Sequence, residues 1–275
     1  MLRYRLADMV GNRRRSRIVL SPIYPSVGAE TEYLKMLRAI LRALSEEVKA
    51  SILPMVEAEM ERQRSGLVID AIPGGLWVRF ASRAAQLLTQ AGSLVRGILG
   101  LEARRHTSKW AASVRSAIGI DVAAVVAQED LTDYLEDANE RNVSLITKLT
   151  NDTVESVKTA VMDAILQGKT AKQLRGELTS RFAISDRRAK VIARDQVSKL
   201  TSDLNRRRHT QAGIAEYIWT TSHDERVRSL HKSLDGKEYR YGEETGAEQG
   251  LPPGQPIQCR CVARAIVVIG GERFT

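Results

Sequence analysis

The sequence predicts an α+β protein, a mostly α-helical N-terminal body followed by a small C-terminal α+β module. Three observations carry this. Aromatic residues make up only 5% of the 275 residues, and long stretches of Ala, Leu, Arg, Glu and Lys favour helix. All seven prolines lie within residues 22–73 or 252–256, which leaves the chain between them free for uninterrupted helices. After Gly213 the texture changes to short β-branched and aromatic runs separated by turns. The expected organisation is a helical region at 1–138, a three-helix segment at 139–213 and an α+β module at 214–275.

Each element has its own signal. Pro22 and Pro25 mark a loop, after which ETEYLKMLRAILRALSEEVKASI places Leu34, Leu37, Ile40, Leu41 and Leu44 at three- and four-residue spacings, one buried helical stripe. A second helix, LWVRFASRAAQLLTQAGSLVRGIL, follows a turn at Pro73, Gly74 and Gly75; its broad apolar coverage predicts burial or a partner chain. In NDTVESVKTAVMDAILQGKT, apolar residues recur at Val154, Val157, Val161, Ile165 and Leu166, and Gly168 stands where a helix stops. Thr170 and Gln173 form a capping box for a short helix to about Phe182. Ser185 opens a third helix that Gly213 closes. In the module, IAEYIWTT is a strand, DERVRSLHKSL a short helix begun by Asp224, and Asp235-Gly236 a tight turn into KEYRY. CRCVARAIVVI closes the chain as a strand, its uniformly apolar end suited to a central or interface position.

The formal charge of +9 and pI near 9.7 predict a surface that attracts polyanions, nucleic acid above all, or one that simply favours solubility. No apolar run approaches the roughly 20 residues of a membrane span, so no membrane partner is expected. The basic start lacks a signal-peptide hydrophobic region, and no secretory address is expected. Between Arg181 and Arg208, nine basic residues face three aspartates. Arg187, Arg188, Arg206, Arg207 and Arg208 are the candidates for phosphate contact without sequence readout. A solvated helix, or one meeting an acidic protein surface, is the competing reading.

Both cysteines lie in PPGQPIQCRC. On a strand, Cys259 and Cys261 would stand roughly 6.5–7 Å apart at Cα, too far for a disulfide. With no third cysteine, a reducing compartment is expected. Two thiols on one face suit half a metal site, or two small buried apolar residues. If a helix begun at Asp224 sets Asp224, Arg228 and His231 on one face, then His231 and both thiols converge, with His223 near by. That is an acceptable zinc ligand set, and equally a structural cluster with no cofactor. Asp224, Arg226 and His231 can be read as carboxylate, electrophile and base. No paired nucleophile, second carboxylate or Gly-rich phosphate loop accompanies them, so no catalytic residues and no enzyme are expected.

The succession RNVSLITKL, GKTAKQL, RAKVIARDQVSKL, GIAEYIWTTSHDERVRSLHKSLDGKEY and PPGQPIQCRC, over about residues 139–268, resembles the phage head morphogenesis proteins of the phage Mu F-like type, also called minor head or minor capsid proteins. Trp219, Asp224, His231, Asp235, Gly236, Cys259, Arg260 and Cys261 stand in matching places. The resemblance implies a structural virion protein of a tailed bacteriophage. It would act in head morphogenesis at the portal vertex or capsid interior, with portal and major capsid proteins as partners and, in some relatives, packaged double-stranded DNA. Many relatives carry a Cys-x-x-Cys pair where this chain has Arg228 and His231. The resemblance therefore implies at most a His231, Cys259 and Cys261 remnant of a zinc site, inside a structural cluster with Trp219, Asp224, Arg228, Asp235, Gly236 and Arg260. The alternative class is a DNA-processing or nucleotide-modifying enzyme using Asp224, Arg226 and His231.

Overall fold

The computed structural model describes residues 4–10, 16–65 and 74–269. In chain order the elements are α1 (Leu6–Met9), β1 (Ser16–Val19), α2 (Val27–Glu47), a π-turn (Val48–Ile52), α3 (Leu53–Arg64), α4 (Gly74–Ile118), α5 (Ala123–Val126), α6 (Thr132–Leu166), α7 (Ala171–Gln211), β2 (Glu216–Thr220), α8 (Ser229–Leu234), β3 (Glu238–Arg240), a single 3-10 turn (Glu248–Gly250) and β4 (Val262–Ile269). A mostly helical chain with a small antiparallel sheet is therefore observed, as expected. Among the described residues no helix is long and apolar enough to cross a membrane. The chain forms two compact units, one of Met1–Glu30, Ile98–Ala138 and Arg194–Thr275, the other of Thr31–Gly97 and Asn139–Ala193.

The second unit is all helix. Along α2 the buried stripe is Tyr33, Met36, Leu37, Ile40, Leu41 and Leu44; Leu34, expected in it, is only half-buried. The Tyr33 hydroxyl donates to Asn142 Oδ1 at 2.6 Å, satisfying the polar tip of an otherwise buried ring. Pro54 offers no N–H to the turn before it, and the ladder there widens: Leu53 N–H bonds to Val48 O. The helix expected after a turn at Pro73 begins at Gly74 itself, with Pro73 outside the described residues. Within this unit α4 buries one stripe, Leu76, Phe80, Ala84, Ala91 and Val95, while Val78 and Leu94 stay exposed.

The capping box at the start of α7 is present in both directions, Gln173 N–H to Thr170 Oγ1 at 3.2 Å and Thr170 N–H to Gln173 Oε1 at 2.7 Å. The break expected at Ser185 is absent. Helix α7 runs through it, because the Ser185 hydroxyl bonds back to Arg181 O at 3.3 Å and across to Thr153 Oγ1 at 2.9 Å instead of capping a new N-terminus.

The first unit holds the sheet, in the order β1-β4-β2-β3, antiparallel throughout. β4 is central, which accounts for its apolar end. Ile18 of β1 faces Val267, and Trp219 of β2 faces Ala263. A core of Leu6, Leu20, Ile23, Trp110, Val114, Ile118, Ile214, Ala265 and Val267 lies against one part of the sheet. A separate small cluster, Trp219, Leu234, Ala247, Cys259 and Cys261, closes the other end.

Candidate metal centre

The site is built on the β2–α8–β3 segment and the loop that precedes β4. β2 ends with Thr221 N–H bonded to Asp235 Oδ1 at 2.8 Å, and Gly236 N–H returns to Trp219 O at 2.8 Å. Asp235 and Gly236 thus tie the end of α8 to the strand before it, and this fixes where His231 points. The expected helix start at Asp224 is not observed. Asp224 instead closes a turn, accepting from Arg226 N–H at 3.0 Å, and α8 begins only at Ser229. Asp224, Arg228 and His231 therefore do not share a helix face.

The cysteine loop is held down by helix α7. Gln258 N–H donates to Asp195 Oδ1 at 3.0 Å, Ser202 Oγ to Pro253 O at 2.7 Å, and Gln255 Nε2 to Asp203 Oδ1 at 2.8 Å. Gly254 sits in the left-handed region at φ 88°, where a Cβ would stand 2.9 Å from Ser202 Cβ; only glycine allows this approach. Cys259 lies in a turn, its N–H bonded to Pro256 O at 2.9 Å, and β4 starts at Val262. The two sulfurs meet because of that turn, and not through strand pleating.

His231, Cys259 and Cys261 converge. Nδ1 of His231 lies 3.4 Å from Cys259 Sγ and 3.6 Å from Cys261 Sγ, and all three side chains are buried. The cysteines are not joined to each other by a disulfide. A tetrahedral zinc with bonds of about 2.3 Å to sulfur and 2.0–2.1 Å to nitrogen separates such donors by about 3.5 Å. The two nitrogen–sulfur separations therefore already match edges of a zinc tetrahedron, and all three donor atoms lie within 4.8 Å of one another. Cys259 is held down at about 6, first by a hydrogen bond from Cys261, against the upward pull of burial, with help from the Gly254 N–H 3.4 Å from its sulfur. Cys261 is pushed up by sharing that proton and by burial, with the Trp219 indole opposing. The Trp219 N–H is buried without an acceptor in hydrogen-bonding geometry among the described residues, and its ring meets His231 edge-on at 5.3 Å. The donor set thus fits a soft or borderline metal ion.

The remaining predicted residues surround this centre with separate partners. Asp224 pairs with Arg260 at 2.6 Å, and Arg228 with Glu248 at 3.2 Å. His223 faces Thr221 and Asp235, away from the sulfur group. Asp224, Arg226 and His231, the suggested catalytic trio, do not form one group: Arg226 pairs with Glu225 and His231 with Glu248.

Residues 155–264 match the family described as Phage Mu protein F like protein. The Mu F-like stretch contains His231, Cys259 and Cys261 and ends within β4, in agreement with the resemblance carried by the sequence motifs. Over 258 residues the chain is also 24% identical to an uncharacterized protein of Haemophilus influenzae (strain ATCC 51907 / DSM 11121 / KW20 / Rd), an alignment covering 94% of this chain and 57% of that protein. The chain thus spans little more than half the length of that relative. No solved structure matches it.

Of the basic candidates in and around the Mu F-like helix α7, Arg208 is not available to phosphate. It is fully buried, bonding His106, Thr107 Oγ1 at 2.7 Å and Glu129 Oε2 at 3.3 Å. Arg188 is paired with Asp152 at 2.7 Å, and Arg207 lies over the Tyr134 ring at 4.2 Å. Arg187 and Arg206 are exposed. Sequence reasoning missed Glu248, which accepts from His231 Nε2 at 2.7 Å, and the clamp residues Asp195, Ser202 and Asp203, whose partners lie 51 or more positions away.

Proposed function

We propose that this chain is a structural minor head protein of a tailed bacteriophage, acting in head morphogenesis at or near the portal vertex, with portal and major capsid proteins as its partners. The observation that carries the reading is the match of residues 155–264 to the Phage Mu protein F like family, which supports a role in phage head morphogenesis. In this reading the protein resides in the virion, and the exposed arginines, Arg187 and Arg206, contact the phosphates of packaged double-stranded DNA, a salt-sensitive and sequence-independent interaction.

The cluster of His231, Cys259 and Cys261 serves architecture. A zinc ion bound there supplies a cross-link between α8 and the cysteine loop, the role of structural zinc in small modules. The protein residues do the rest: Asp235 and Gly236 orient α8, and Asp195, Ser202 and Asp203 hold the cysteine loop. The reading assigns no turnover, and the separation of Asp224 and Arg226 from His231 supports it over the enzyme alternative.

Deletion of the coding sequence from the phage, with the lysate inspected by electron microscopy, tests the assignment. The expected result is free tails with empty or aberrant heads. Normal numbers of filled, infectious heads would overturn it.

A further inference from the structure

We propose that Glu248 is a positioning residue of the metal centre, locking His231 in the one tautomer and rotation that present a bare Nδ1 to both sulfurs; the inference rests on the metal reading above. The geometry is specific. One carboxylate oxygen of Glu248 accepts from His231 Nε2 at 2.7 Å, and the other is held by Arg228 at 3.2 Å. An ionised carboxylate only accepts, so the proton of a neutral His231 belongs on Nε2, and the lone pair of Nδ1 faces Cys259 and Cys261. The pairing with Arg228 is the geometry of a carboxylate, which accepts from the imidazole and does not donate to it. Carboxylates in this relation to a ligating histidine fix ring orientation and raise ligand basicity.

The loop carrying Glu248 is built to stay in place. Thr245 N–H bonds to Gly250 O at 3.0 Å, Thr245 Oγ1 to Leu251 O at 2.6 Å, and Ala247 N–H to Thr245 Oγ1 at 3.1 Å. Ala247 is buried in the same small cluster as the two cysteines. At Gly246 a Cβ would stand 2.9 Å from Leu234 Cδ2, so the loop lies against α8, the helix that carries His231. Glu248 itself is half-exposed, which makes its replacement compatible with folding.

The test uses the full chain, reduced and stripped of metal, titrated with Co(II) as a spectroscopic probe and then with Zn(II) in competition. The wild type is expected to bind one ion with a thiolate charge-transfer band, and Cys259→Ser to lose it. Glu248→Gln and Glu248→Ala are expected to bind Zn(II) about 10–100-fold more weakly, with an altered Co(II) d–d spectrum and an unchanged melting temperature of the metal-free protein. Wild-type affinity and spectrum in both Glu248 variants, with Cys259→Ser still inactive in binding, would overturn the role of Glu248 and leave the metal centre standing. Failure of the wild type to bind either ion would overturn both.

Discussion

Replacing Arg208 by methionine should destabilise the protein strongly without touching its affinity for DNA. The guanidinium is wholly buried, and the side chain of its partner Glu129 is 3% exposed, with one carboxylate oxygen lacking any hydrogen-bond partner. Removing the cation leaves a buried carboxylate uncompensated and also strips His106 and Thr107 of their donor. Breaking a buried pair in this way costs about 3–5 kcal/mol. At about 2–4 °C per kcal/mol, the melting temperature of the first unit should fall by about 6–20 °C. Adding Glu129→Gln removes the stranded charge and should restore a large part of the loss, a coupling that a double-mutant cycle measures directly. Thermal denaturation followed by circular dichroism at pH 7.5 is the assay. A single variant melting within 2 °C of the wild type, or a double variant no more stable than the single one, would refute the reasoning.

Three other outcomes follow from the same structure. Burial and the neighbouring Arg208 hold His106 well below its ordinary pKa and His209 at about 3. The folded state therefore favours the neutral rings, and their stabilising effect is complete above the unfolded value near 6.5. Each histidine should cost about 1 kcal/mol for each pH unit below that, so urea midpoints should fall between pH 7 and 5.5; equal midpoints would contradict the assignment. Gly254→Ala should cost about 1–3 kcal/mol, since it adds a Cβ at positive φ against Ser202; an unchanged denaturation midpoint would count against the clamp. In filter binding to duplex DNA, Arg206→Ala should weaken affinity and flatten the salt slope by about one, while Arg208→Met should leave both alone.

What the sequence made legible was local. The capping box at Thr170 and Gln173, and the stops at Gly168 and Gly213, depend on neighbours within one turn, and all are present. Ser185 and Asp224 carried the same kind of signal and misled, because side chains that cap helices also bond back one turn or close an Asx turn. Strand β1 had no legible signal: four residues, SRIV, become a strand by pairing with β4 some 250 positions away. The fate of Arg208 was hidden for a related reason. A basic run looks solvated until the fold brings Glu129, 79 residues earlier, beside it.

The candidate site divides along the same line. The convergence of His231 with Cys259 and Cys261 was expected from residue type and from the family resemblance, and it is observed. Its mechanism was not, since the turn at Pro256–Cys259 brings the sulfurs together and the clamp from α7 holds that turn. Glu248 stands in a loop rich in glycine and glutamate, where nothing in the local pattern distinguishes it from Glu243 or Glu244. Only its three-dimensional relation to the imidazole does so.

Quantitative mass spectrometry of purified phage particles, with heads separated from tails, tests the virion assignment most directly. The account predicts this chain in the head fraction at a few copies per particle. Its absence from heads that are complete and infectious would contradict the account.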